Sequence, residues 1–210
     1  MYPLPRTPLV ALLAVAVLTS GCVTVAGNKL HDLERRVPAT VPRVEETVGE
    51  YSFHLDGGKM ITSNKAGRLL NTEILSRWKK WGYISGQTYV KSGAFSGNAE
   101  YEITLSGDQD GDSSILLQII SGLTLMVIPY YVDSGFNVVY EVRDVRTNKT
   151  FRAQASESYN TIISLLLLPF SPFGQGGAST TYDRIAANLY DQLRDQGAFV
   201  AQSAEPGGGL

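Results

Sequence analysis

Asp108, Asp110 and Asp112 stand two residues apart beside Gly107 and Gly111, a spacing in which carboxylate oxygens can converge on a hard cation such as Ca2+. Such a loop needs a distal glutamate, and Leu116, Leu117 and Ile120 occupy the stretch where it would stand. The run 107–112 therefore reads as a solvated hairpin turn, and no metal site is expected. Nucleophilic catalysis through a serine needs a histidine partner, and the chain has only His31 and His54. The first falls in a polar stretch and the second on the polar face of a strand, so both read as surface residues. Cys22 is the sole cysteine, which excludes an intrachain disulfide and a cysteine-based metal site. The sequence holds no phosphate-cradling glycine loop, and no spacing singles out a pair of carboxylates for glycoside chemistry. No catalytic residue and no cofactor is expected, and the chain reads as a non-enzyme.

Cys22 still needs an explanation, and the residues before it supply one. A short start carrying Arg6 precedes the unbroken apolar run 9–18, which ends in Thr19-Ser20-Gly21-Cys22. That run falls short of the roughly 20 apolar residues of a spanning helix but suits the apolar centre of a signal peptide. Leu18-Thr19-Ser20-Gly21-Cys22 resembles the lipobox of bacterial lipoproteins, where small residues before the cysteine let the peptidase seat the chain. Thr19 departs from the usual leucine at its position. The resemblance implies that residues 1–21 are removed and that the Cys22 sulfur carries two acyl chains, with a third on its amine in Gram-negative bacteria. At about 0.8 kcal/mol per buried CH2, such chains hold a protein firmly to a membrane. Val23 follows, where many enterobacterial inner-membrane lipoproteins have aspartate, so the expected address is the outer membrane, facing the periplasm.

The elements behind the anchor follow from patterning. Residues 22–46 show no sustained period and contain Pro38 and Pro42, which reads as a flexible tether. A single domain is expected over residues 47–200, followed by a disordered tail at 201–210 rich in glycine. Alternation at Tyr51, Phe53 and Leu55 predicts a half-buried strand closed by a turn at 56–58. Ala66, Leu70, Ile74, Trp78 and Trp81 recur at spacings of three and four and predict a helix over 64–81. Residues 85–98 read as a loop or loose edge strand, and 100–106 as a strand with Tyr101, Ile103 and Leu105 inward. Residues 136–142 and 151–158 predict a hairpin across the turn 146–149. A last helix is expected from the Thr180 and Asp183 capping pair to Gly197, with Ile185, Ala186, Leu189 and Leu193 as its stripe. The sum is an α+β fold: an antiparallel or mixed sheet of about four strands, with two helices packed on one face. In element order it resembles the small α/β modules of envelope lipoproteins related to the N-terminal domain of the translocation protein TolB.

Two short apolar segments flank the hairpin. One spans 115–131 and the other 161–173, with Leu165-Leu166-Leu167-Leu168-Pro169-Phe170 at its centre. Neither has clean amphipathic spacing, so each reads either as deep core or as a surface that meets lipid or another protein. The second reading makes Leu123, Leu125, Met126, Ile128, Tyr130, Leu165, Leu166, Leu167 and Phe170 a membrane- or partner-facing patch. With 18 basic and 20 acidic residues the chain gives no electrostatic footprint for nucleic acid. The expected function is a membrane-anchored envelope lipoprotein, non-catalytic, serving as an interaction or assembly accessory for an envelope protein partner. The alternative is a carrier whose apolar segments enclose a lipid or other hydrophobic ligand.

Overall fold

Period-two alternation governs more of this chain than its composition announces. The computed structural model describes residues 21–27, 29–34, 40–55, 61–170 and 176–199; the expected signal peptide, the turn at 56–58 and the tail lie outside them. Seven strands form one mixed sheet: β1 (Gly21–Ala26), β2 (Arg43–Leu55), β3 (Ile61–Thr62), β4 (Gly86–Tyr89), β5 (Tyr101–Ser113), β6 (Tyr130–Asp144) and β7 (Thr150–Ser164). Their order is β1-β7-β6-β5-β2-β3, with β4 also pairing β2. β2 runs parallel to β4 and β5, and the remaining pairs are antiparallel. Three helices join them: α1 (Asn64–Lys80), α2 (Ile115–Leu123) and α3 (Gly176–Asp195). The fold is α+β, and the described residues hold three more strands and one more helix than the patterning suggested.

α1 and α3 cover one face of the sheet. On β6, Phe136, Val138, Tyr140 and Val142 turn toward them and are buried, and β7 adds Phe151, Ala153 and Ala155. Trp78 of α1 is the centre of this layer. Its indole N–H donates to the Ala186 carbonyl of α3 at 2.8 Å. Tyr140, Tyr190 and Phe199 meet its ring edge-on at centroid distances of 5.6, 5.5 and 5.8 Å, the geometry that aromatic quadrupoles favour. Gly67 lets α1 lie close on β2, since a Cβ there would stand 2.8 Å from Tyr51 and Val48.

Three expectations are corrected. The run 107–112 is not a hairpin turn but part of β5, paired on both sides with β2 and β6. Aspartate and glycine disfavour strands, yet the period of two puts all three aspartates on the sheet's uncovered face, where water solvates them. Residues 22–46 are not a free tether. Residues 21–26 form β1, which pairs antiparallel with β7 and packs against Gly177 of α3, and Arg43 already begins β2. The first strand of the expected domain therefore starts earlier, and its parity changes midway. Val44 and Val48 are buried, but a register irregularity between Val48 and Tyr51 shifts the inward set to Tyr51.

Candidate functional site

At the end of the sheet where β5 stops and β6 and β7 begin and finish, the chain makes an apolar excursion. Ser114 caps α2, its hydroxyl accepting the Leu117 N–H at 3.3 Å. On the nine-residue helix Gln118 and Ser121 share one side; Ser121 is buried and Gln118 bonds to the Ser113 hydroxyl. Leu116, Ile119 and Leu123 lie on the opposite side, spaced three and four apart, and are 67%, 56% and 80% exposed. Ser121 thus lies inward together with the half-buried Leu117, Gln118 and Ile120, while the most exposed side chains of the helix are apolar. It ends in a Schellman motif, with the Met126 N–H bonded to the Ser121 carbonyl at 2.6 Å and Leu125 N–H to Gly122 at 3.2 Å. Leu125 and Met126 adopt left-handed φ values of 52° and 60°. Glycine takes that conformation at little cost; leucine does not.

The second apolar segment is clamped to the first. The Met126 carbonyl accepts both the Leu165 N–H at 2.8 Å and the Ser164 hydroxyl at 3.1 Å. Of the residues singled out in the sequence, Leu123, Leu125, Ile128 and Leu166 are exposed, and Met126, Tyr130, Leu165 and Leu167 are half-buried. The Phe170 side chain lies outside the description. The structure therefore brings the two segments together at the surface, not in the core. It adds Leu116, Ile119, Val127 and Tyr131, all exposed. Their signal was in the sequence: the spacing 116, 119, 123 opposite Gln118 and Ser121 is a helical stripe.

Cys22 belongs to the same end of the sheet. It pairs with Ile163 of β7, which pairs with Tyr130 of β6. At about 4.8 Å per strand the Cys22 and Tyr130 backbones are roughly 10 Å apart. The chain beyond β1 is pinned as well. The buried Glu157 carboxylate accepts the Lys29 and Leu30 N–H groups at 3.0 and 2.9 Å, and Arg184 of α3 holds Asp32 at 2.7 Å. The Arg184 hydrogen bond keeps the Asp32 carboxyl below its ordinary value.

Other polar groups form separate features. His54 bonds to Asp110 at 2.7 Å across β2 and β5, and Asp108 accepts the Asn137 amide at 2.9 Å, so these two aspartates are tied to neighbours within the sheet. Among the described residues no three histidine, cysteine, aspartate or glutamate side chains converge as metal ligands, and no helix is long and apolar enough to cross a membrane. Under α1, a buried relay runs from Glu46 through Asn71 to the Tyr140 hydroxyl. Burial pushes the Glu46 carboxyl up to about 7, against the pull of Arg68 and the Asn71 hydrogen bond. A cleft of about 170 Å3 between residues 32–33 and the two large helices is lined by Asp32, Asp183 and Arg184 as well as Leu33 and Trp81. It is small and lined by charged residues.

No protein-family model matches the chain, and no curated protein does. Solved structures are similar in outline. A Xanthomonas campestris protein of the family DUF330 aligns over 76% of this chain and 90% of its own, at 8% identity and a TM-score of 0.36. The PelC dodecamer from Paraburkholderia phytofirmans aligns over 83% and 96%, at 14% identity and a TM-score of 0.33. A hypothetical protein from Chlamydia trachomatis aligns over 74% and 93%, at 13% identity and a TM-score of 0.29. Likeness at these values carries no argument about activity or assembly.

Proposed function

We propose that this chain is a cell-envelope lipoprotein, held by acyl chains on Cys22 at the outer membrane and facing the periplasm, and that it acts without catalysis as an interaction or assembly accessory. The reading is carried by Leu18-Thr19-Ser20-Gly21-Cys22, whose cysteine opens an edge strand of the folded domain. Because Glu157 and Arg184 pin residues 29–32, a lipid on Cys22 holds the domain against its membrane and not at the end of a leash. The chemistry inventory supports the non-catalytic part. His31 lies in the pinned segment, His54 is tied to Asp110 on a partly exposed strand, and Cys22 is assigned to lipid.

Metabolic labelling with a fatty-acid analogue tests the anchor. Wild-type protein takes up label and fractionates with membranes; Cys22→Ser takes up none and leaves the detergent-dependent fraction. Label retained by Cys22→Ser, or a mature chain cut at another bond, would refute the anchor.

A further inference from the structure

The anchor fixes one point of the domain and leaves its orientation open. We infer that the α2 excursion is a second membrane contact, a wedge that enters the same bilayer leaflet as the Cys22 acyl chains and sets the sheet's end against the lipid. The inference takes its choice of occupant from the anchor reading but stands on separate residues.

Five observations carry it. Residues 114–132 contain no aspartate, glutamate, lysine, arginine or histidine, and neither do residues 161–170, so the surface they build has no charge to desolvate. Leu116, Ile119, Leu123, Leu125, Ile128 and Leu166 are each at least 40% exposed on it. Polar residues share the inward side of α2, with Ser121 buried and Gln118 held to the Ser113 hydroxyl beside the half-buried Leu117 and Ile120, while apolar side chains take the outward side. Leucine and methionine stand at the left-handed positions 125 and 126, where glycine would cost folding less and bind lipid less. Finally, Tyr130 and Tyr131 sit at the root of the wedge, level with Cys22 and Val23 in the strand register. Amphipathic rings at that height suit the headgroup layer. A nine-residue helix and a turn are too short to span and long enough to reach about 5–10 Å, the depth of the headgroup and acyl boundary.

A second copy of the chain is the competing occupant, and one experiment separates the two. With Cys22 acylated, a cysteine introduced as Ile119→Cys is the only free thiol of the mature lipoprotein. It is labelled with a polarity-sensitive nitrobenzoxadiazole dye in vesicles of phosphatidylethanolamine and phosphatidylglycerol. Thr147→Cys, in the turn at the opposite end of β6 and β7, serves as the reference. The wedge requires a blue-shifted emission at position 119, with most of it lost when shallow nitroxide lipids are added, and neither change at position 147. It further requires that Leu123→Asp with Leu166→Asp abolish the quenching while circular dichroism is unchanged. Water-like emission at position 119 overturns the inference. So does a blue shift that ignores the nitroxides and grows with protein density, which would assign the surface to a second copy. Retained quenching in the aspartate variant overturns it as well. The mass of the Cys22 peptide from the same preparation reads the anchor independently; where it shows an unmodified thiol, the quenching is read in a Cys22→Ser background, in which Ile119→Cys is again the only thiol, so loss of the anchor and loss of the wedge stay distinguishable.

Discussion

β6 and β7 form one continuous hairpin with two unlike ends. Toward its turn, alternate residues from Phe136 to Val142 and from Phe151 to Ala155 are sealed under α1 and α3 around Trp78. Toward its open end the same two strands continue to Tyr130 and Ser164, but cover from the large helices gives way to α2, whose apolar side points away from the protein. The residue types at the two ends are alike. What differs is whether a second layer lies over them, and that decides whether an apolar side chain stabilises the fold or is left for another surface.

Breaking the sealed end should have the largest effect. Trp78→Ala removes a fully buried ring, its hydrogen bond to Ala186 and three aromatic contacts, and should cost about 3–5 kcal/mol in denaturant unfolding. The next effect is a pH dependence from the same layer. Glu46 has a folded pKa of about 7, raised by burial above the ordinary 4.5. The native state therefore holds that proton more tightly than the unfolded chain. Its contribution to stability is complete below about 4.5 and is lost as pH rises through 7. Glu46→Gln should flatten this fall, so that the wild-type and variant stability profiles diverge by about 3 kcal/mol across the window. The smallest effect belongs to the open end. Leu123→Asp and Leu166→Asp replace side chains 80% and 63% exposed and should each shift unfolding by no more than about 0.5 kcal/mol. A loss of several kcal/mol there would mean that the wedge is core after all, and the contrast between the two ends would collapse.

Much of the sealed end was legible because local periodicity and burial agree there. The helix over 64–81 is α1 to within a residue, since its stripe is strong and Ser63 caps it. The hairpin is present and longer than its clearest alternation. β5 beyond Ser106 was not legible, because Asp108, Asp110 and Asp112 look like a turn until the partners on both sides are known. β1 was not legible either: six residues beside an apolar run, held by β7, Gly177 and nearby pinning at Glu157, owe their structure to contacts more than 100 residues away.

Sequence alone determined the inventory of side chains available for chemistry. One cysteine stands behind an apolar run, there are two histidines, and two apolar segments lack charge; these are matters of composition and order that folding cannot alter. Only the tertiary structure decided that Cys22 lies at the start of a strand, that the second apolar segment is clamped to the first through the Met126 carbonyl, and that Leu116, Ile119, Leu123 and Leu166 face outward. Burial is a property of what lies on top of a residue, and a chain read in one dimension does not contain that layer.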